Sequence, residues 1–557
     1  MSMQPQDIPA IPEDTREVAL AAFPKGNLYL QMREQLGIVY QDHDFCELFS
    51  QRGQPAESPW RLVLVCIMQF MDNLSDRQAA EAVRARIDWK YVLSLPLKDA
   101  GFDFSVLSEF RARLLSAEKE SELLNLFLVR LKEKGLLKTH HKQRTDSTHV
   151  LAAIRTLNRL ELLGETFRAA LNSLSVAAPE WLSEHMEEVW FERYLRRIEN
   201  YRLPKADSKR EALGSEIGSD GFILMSDVYA SSAPPWLRQL PAVETLRQVW
   251  IQQFYAPEYG SDRVKWRKLQ DMPTSGYSIH SPYDIEARYS NKRSTDWVGY
   301  KAHITEICDE GSPRLITHVH TTNGAVPDDQ VMQSIHHSLG EKALLPKEHF
   351  MDGGYLSAEH LVNSKVRHDI EVVGPVRGDR SWQAKEKAAY DGSYFRINWT
   401  QKFATCPQGH RSTKWQCTHD IQGRAIVKVR FLGKTCRACS VRSLCTKSKA
   451  QPRELTLRPQ ALFVALNERR KVQTTKAFLK RYGLRAGIES THSQGIRRSG
   501  LRRTRYIGLA KTHLQHVFIA LALNVLRVNA WLNGVPLAKT RISRFKRVLR
   551  PQLVSAA

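Results

Sequence analysis

Tyr482-Gly-Leu-Arg485-Ala-Gly-Ile-Glu489-Ser-Thr-His-Ser-Gln-Gly-Ile-Arg497 places a phenol, a guanidinium and a carboxylate at offsets of three and seven residues. On an α-helix those offsets fall on one face. The basic pairs Arg497-Arg498 and Arg502-Arg503 follow at once. An acidic metal ligand beside a phosphate-binding surface fits that pattern. From spacing alone, a solvated face or an intrahelical ion pair is the commoner outcome.

The wording around the spacing adds to it. Tyr-x2-Arg-x3-Glu resembles the signature at the last acidic residue of the DDE transposases of bacterial insertion sequences. Gly487-Ile488-Glu489-Ser-Thr-His-Ser-Gln-Gly and Arg505-Tyr506-Ile507-Gly508-Leu509-Ala510-Lys511-Thr512 extend the likeness. One position departs from it: the base common seven residues after the Glu is replaced by Ile496, and the nearest base is Arg497. Thr145-Asp146-Ser147-Thr148-His149-Val150 and Met351-Asp352-Gly353-Gly354-Tyr355 resemble the first and second acidic motifs of the same family, in the same order. By composition alone either Asp reads as a turn or cap residue. The resemblance implies an RNase H-like site in which Asp146, Asp352 and Glu489 hold two Mg²⁺ (or Mn²⁺) ions. Such a pair, about 4 Å apart, activates the attacking oxygen and stabilises the leaving one. Tyr482 and Arg485 would then contact the DNA backbone near the cut.

The segments between the motifs fit that order. Arg144–Val150 reads as a strand, Gly299–Ile307 and Arg314–His320 as two strands joined by the turn Asp309-Glu310-Gly311-Ser312, and His349–Asp352 and Glu371–Pro375 as two more. A helix is expected from about Pro327 to Leu339, with Asp328 and Asp329 in its first turn. Ile507–Val525 carries an apolar stripe suited to a long helix packed on the sheet. The expected fold class is therefore α/β: an RNase H-like mixed sheet flanked by helices, with an all-helical N-terminal domain and a Cys-rich insertion.

Two excursions interrupt the catalytic domain, expected over 141–535. The first, 152–298, should be mostly helical, with Asn158–Leu174 and Pro179–Tyr201 as helices before a polar stretch punctuated by Gly and Pro. Asp284 and Glu286, near its end, read as surface ion-pairing or positioning residues before they read as auxiliary acids. The second, 380–458, holds five of the eight cysteines. Cys406, Cys436, Cys439 and Cys445 would supply a tetrahedral structural Zn²⁺ site, with Cys417 or His410 as substitute ligands. Reduced buried thiols are the alternative. A disulfide framework does not fit the scattered remainder, Cys46, Cys66 and Cys308.

Composition bounds the rest. The 557 residues are long enough for two or three domains, and 42% hydrophobic content is ordinary for a globular chain. Formal charge is +23 and the pI near 9.7, which point to a polyanionic partner. Arg497, Arg498, Arg502, Arg503, Arg505 and Lys511 share one acid-free window, and Lys539, Arg541, Arg544, Lys546, Arg547 and Arg550 cluster in a basic tail over 536–557. Neither cluster has the apolar face of a membrane-surface helix. Apolar runs such as Leu62–Met68 and Val517–Leu523 are short of a membrane span, and the amino terminus is acidic and polar rather than signal-like.

Residues 1–140 read as a helical DNA-binding domain. A helix opens at Pro59-Trp60, Ser75-Asp-Arg-Gln78 is a capping box, and another helix starts at Asp103-Phe104-Ser105. Leu74-Ser-Asp-Arg-Gln-Ala-Ala and Phe104-Ser-Val-Leu-Ser-Glu-Phe-Arg resemble the InsH-like amino-terminal domain found before such catalytic domains. The expectation is a cytoplasmic, nucleoid-associated transposase. It would bind double-stranded DNA at its element's inverted repeats and at the target, cut and join strands, and form a homo-oligomer in the synaptic complex. The alternatives are a catalytically inactive DNA-binding protein, either repressor or relic, and an RNase H-like nuclease that cuts without joining.

Overall fold

The computed structural model describes residues 2–137, 142–256, 264–274, 276–292, 294–386, 388–537 and 548. The tail bases Lys539, Arg541, Arg544, Lys546, Arg547 and Arg550 lie outside the described residues. The chain divides into two compact units: Met1–Leu137, Gly311–Leu315 and Phe518–Ala557 form the first, and Lys138–Glu310 with Ile316–Val517 the second.

In its described residues the first unit is helical. Its centre is the helix Pro59–Asp72, buried from Pro59 to Met71 apart from Arg61. A helix apolar on nearly all sides must sit inside a core. Pro at its first position and Asn73 in the left-handed conformation at its end set its limits. The expected capping box opens the next helix, Asp76–Ala85, with the Gln78 N–H donating to Ser75 Oγ and the Ser75 N–H to Gln78 Oε1. Phe518 stacks on Phe70, ring centroids 6.1 Å apart.

The second unit is mixed α/β. Its main sheet has strands β1 (Lys142–Leu151), β2 (Arg288–Lys292), β3 (Thr295–Ile307), β4 (Ile316–Asn323), β5 (Glu348–Met351) and β6 (Glu371–Val373). Across the sheet the order is β4-β3-β1-β5-β6, with β2 returning on the start of β3 as a hairpin. β4, β3 and β1 run antiparallel, while β1, β5 and β6 run parallel. β1 sits centrally, and its residues from Gln143 to Thr148 are all buried. The expected third strand starts two residues later and runs three further, and the expected Pro327 helix is a 3-10 turn, Asp328–Gln330, followed by the helix Met332–Glu341.

The segment between β1 and β2 is helical through Gln253, but not only where periodicity marks it. The expected Asn158–Leu174 helix is Arg159–Ala177 with Asn158 as its cap, whereas Pro179–Tyr201 breaks into Pro179–His185, Glu188–Tyr194 and a short turn. The polar stretch punctuated by Gly and Pro contains the 22-residue helix Asp207–Val228. Gly214, Gly218 and Gly221 line one face of it because Trp266, Phe254 and Trp250 pack there; a Cβ would meet those rings at 1.5, 2.8 and 2.2 Å.

Between β6 and the helix Gln460–Val472 lies a small β-rich segment. It comprises the hairpin β7 (Arg396–Asn398) and β8 (Phe403–Thr405), and the antiparallel sheet of β9 (Lys414–His419), β10 (Ala425–Arg430) and β11 (Glu454–Leu457). Helices Lys476–Tyr482, Ile488–Ser499 and Leu509–Leu532 follow. The last is long and apolar enough by length and composition to cross a membrane, contrary to the reading from continuous apolar runs; 72% of its apolar window is buried in the protein, as in a core helix.

Candidate active site

Two of the expected acids emerge from neighbouring parallel strands. Asp146 lies inside β1 and is 5% exposed. Asp352 directly follows β5, and the register pairs Thr145 with Met351, so the two acids occupy adjacent positions at one level of the sheet. Backbone groups aim both carboxylates: the Ser147 N–H donates to Asp146 Oδ1 at 2.8 Å and the Gly353 N–H to Asp352 Oδ1 at 2.6 Å.

Tyr482, Arg485 and Glu489 do not ride one α-helix. Tyr482 ends the helix Lys476–Tyr482, Arg485 lies in the 3-10 turn Gly483–Gly487, and Glu489 begins the helix Ile488–Ser499. The glycines at both ends of the turn, Gly483 and Gly487, relax helix propensity. The turn carries Arg485 to the sheet, where its Nη1 meets Asp146 Oδ2 at 2.5 Å. Tyr482 stacks on Phe478 with centroids 5.9 Å apart. Burial raises its hydroxyl pKa; Arg485 opposes the rise, and the charges of Asp352 and Asp146 add to it. Glu489 is exposed, and one turn on His492 is buried. Burial lowers the His492 pKa against the pull of Asp146, Glu489 and Glu306, so Asp146 and Glu489 act on the same imidazole.

Sequence reasoning missed the group that seats this segment. Arg144, on β1, is 2% exposed and Glu306, on β3, is fully buried. Arg144 Nε donates to Glu306 Oε1 at 2.6 Å and Nη1 to the Leu484 carbonyl at 2.7 Å, while Thr491 Oγ1 donates to Glu306 Oε2 at 2.5 Å. One ion pair thus ties two strands, the 3-10 turn and the Glu489 helix together. Gly487 is glycine because a Cβ there would lie 1.9 Å from Arg144 Nη1. The available signal was a Glu inside an otherwise apolar and β-branched run, Ile304-Thr305-Glu306-Ile307.

A fourth carboxylate was read only as a helix-start residue. Asp328 accepts from Ser147 Oγ at 3.1 Å and pairs with Lys301 Nζ at 3.2 Å. Burial, and then the charges of Asp328, Asp146 and Asp352, hold the Tyr355 phenol well above its ordinary range. Tyr355 Oη lies 2.6 Å from His303 Nδ1, and burial pushes that imidazole down to about 3. Asp284 is no surface acid: it is 2% exposed, accepts from Tyr300 Oη at 2.7 Å and from the Gly508 N–H at 3.3 Å. Glu286 accepts from the Leu509 N–H at 2.8 Å. The two acids cap the helix Leu509–Leu532, which is the positioning role weighed for them.

The basic window is fastened to β1. The Leu151 N–H donates to the Arg502 carbonyl at 2.8 Å, the Thr504 N–H to the Leu151 carbonyl at 3.0 Å, and Arg502 Nε to Thr148 Oγ1 at 2.9 Å. Arg502 is therefore half-buried, while Arg497, Arg498, Arg503 and Lys511 are exposed. Elsewhere, Cys406, Cys436, Cys439 and Cys445 line one cavity together with His410, and Cys417 is exposed on β9. Among the described residues no three His, Cys, Asp or Glu side chains stand at ion-holding spacing. Carboxylate oxygens nevertheless suit Mg²⁺ or Mn²⁺, and thiols suit zinc.

Comparison with known families agrees with this architecture. Residues 405–529 match the transposase DDE domain and residues 17–113 the transposase domain (DUF772). No curated protein and no solved structure matches the chain. The first match covers Glu489 and stops short of Asp146 and Asp352. The transposase domain (DUF772) match lies in the helical unit, and the DDE-domain match lies mostly in the α/β unit and runs on into the helix Leu509–Leu532. Both matched domains are domains of transposases, and together they support a DDE transposase of an insertion element.

Proposed function

We propose that Asp146, Asp352 and Glu489 form one two-metal site that cuts the DNA at the ends of the insertion element and joins it to a target. The observation that carries this is Arg485. It sits four residues before Glu489 and reaches Asp146, which itself neighbours Asp352 across the parallel strands. The strand order β4-β3-β1-β5-β6, with three antiparallel strands and two parallel additions, supports an RNase H-like reading of the domain. Two bound Mg²⁺ or Mn²⁺ ions would activate the attacking oxygen and stabilise the leaving one.

The chain's own residues do the rest. Asp146 and Asp352 present oxygens from rigid strand positions, and Glu489 brings the third from a helix held by Arg144 and Glu306. Arg485 is the counter-ion of Asp146; were that carboxylate to hold a divalent cation, the guanidinium would be free to pair with a phosphate, for which its planar fork is suited. Tyr482 packs beside it and offers one hydroxyl. Arg497, Arg498, Arg503 and Lys511 supply backbone contacts along duplex DNA, and Arg502 fixes their loop to β1. The helical unit binds the element's inverted repeats, the working form is a homo-oligomer, and the protein acts in the cytoplasm on the nucleoid.

The test is incubation of the purified chain with labelled duplexes carrying the DNA that flanks its gene, a target plasmid and Mg²⁺. Joined product that requires Mg²⁺ and all three acids is expected. Binding without cutting would overturn the catalytic reading, and cutting without joining would make the protein a nuclease.

A further inference from the structure

The small β-rich segment gathers thiols from three places in the sequence. Cys406 follows β8 and opens the turn Cys406-Pro-Gln-Gly-His410. Two hydrogen bonds close this turn, from the Gly409 N–H to the Cys406 carbonyl and from the Cys406 N–H to the His410 carbonyl, both 2.9 Å. Gly409 takes φ 81°, which glycine adopts at no steric cost. Cys436 lies in the helix Gly433–Arg437, Cys439 just beyond it, and Cys445 ends the helix Arg442–Cys445. All four are free thiols. They face a cavity of about 40 Å³, room enough for an ion.

Two features of the surroundings point to an occupant. Among the described residues the segment's buried apolar cluster is small: Phe395, Ala404, Val427, Val429, Phe431, Leu455 and Leu457, with Cys406, Cys436 and Cys445 among the half-buried groups packed against it. Cores that small are commonly completed by a metal or disulfides. Cationic groups also surround the thiols: Arg453 donates to the Cys445 carbonyl at 3.0 Å, and Arg442 lines the same cavity. A site of four thiolates around Zn²⁺ carries two net negative charges, which such cations offset.

We propose that Cys406, Cys436, Cys439 and Cys445 bind one structural zinc ion that closes this segment. The proposal is independent of the strand-cutting chemistry. On binding, the four thiols release their protons to solvent and draw inward across the cavity; the knuckle turn and two short helices that carry them are the parts that move. Binding free energy at such sites is folding free energy, so the ion stabilises the segment between β6 and the Gln460–Val472 helix.

Elemental analysis of the full chain as purified should give about one equivalent of zinc. Cys436→Ser and Cys445→Ser should each lose it, and Cys417→Ser should keep it. Replacing zinc by Co²⁺ in the parent chain should give the visible and near-ultraviolet absorption of tetrahedral cobalt bound to four thiolates, a readout that does not depend on any variant folding. No zinc in the parent, full zinc in Cys436→Ser, equal loss in Cys417→Ser, or a cobalt spectrum without thiolate bands would each overturn the proposal.

Discussion

Replacing Gly487 by alanine tests how the Glu489 helix is held. The backbone there has φ −64° and ψ −20°, ordinary for alanine, so conformational entropy alone would stabilise the protein by about 0.4–1 kcal/mol. The new methyl carbon would lie 1.9 Å from Arg144 Nη1 and 2.4 Å from its Cζ, so the guanidinium has to leave. Its departure takes the cation from Glu306, which is fully buried and keeps Thr491 as a donor. Breaking a buried pair from one side costs about 3–5 kcal/mol, leaving a net loss of about 2–5 kcal/mol. The measurements are the urea midpoint of the full chain and amide exchange across Ile488–Ser499, which should become faster. A double replacement discriminates further. Arg144→Met with Glu306→Leu should cost less than either single change, because it removes both charges together. Gly487→Ala with an unchanged midpoint and unchanged exchange, or a double variant worse than both singles, would mean that the Arg144–Glu306 pair does not hold the Glu489 helix.

Arg485→Ala removes the cation that shares Asp146, so Mg²⁺ binding measured by calorimetry should tighten while DNA cutting falls; weaker Mg²⁺ binding would contradict the exchange of Arg485 for metal. Asp284→Ala should lower the unfolding midpoint, since Tyr300 Oη and the Gly508 N–H lose their buried acceptor, a loss of about 1–3 kcal/mol for each group left unsatisfied; the exposed Glu310→Ala is the neutral control. Arg497→Ala with Arg503→Ala should weaken binding to any duplex and flatten its salt dependence by about 0.9 log unit per lost phosphate contact, whereas Arg502→Ala should also loosen the loop on β1. Burial holds His303, His336 and His516 down to about 3. Their folded values lie below the unfolded one, so the stability they contribute is complete above about pH 6.5 and falls by about 1.4 kcal/mol per pH unit per histidine as acid is added. A urea midpoint unchanged between pH 7 and pH 5.5 would contradict that.

What the sequence made legible was what alternation and capping encode locally. The strand through Asp146, the turn after Asp352 and the capping box at Ser75 were all readable, because each is determined by residues within a few positions. The helix Asp207–Val228 was not: its glycines resemble loop punctuation until Trp250, Phe254 and Trp266, far along the chain, are seen to need that space. The single helix expected through Tyr482 and Glu489 failed for a similar reason, since the 3-10 turn answers to Arg144, more than 300 residues earlier. Asp328 and Glu306 were passed over because a carboxylate's partner across a sheet leaves no local periodicity. The four cysteines come from three separate places in the segment and line one cavity, a convergence that the strands between them bring about.

Strand cutting by Glu489→Gln tests most directly whether Asp146, Asp352 and Glu489 act as one metal-dependent unit. The substitution keeps volume and helix propensity and removes one negative charge from an exposed side chain, so folding and DNA binding should persist. Cutting of duplexes carrying the flanking DNA should fall by orders of magnitude, and alanine at any two of the three acids should cost little more than alanine at one. Undiminished cutting by Glu489→Gln, or losses that multiply across the three positions, would show that the three do not act as one unit.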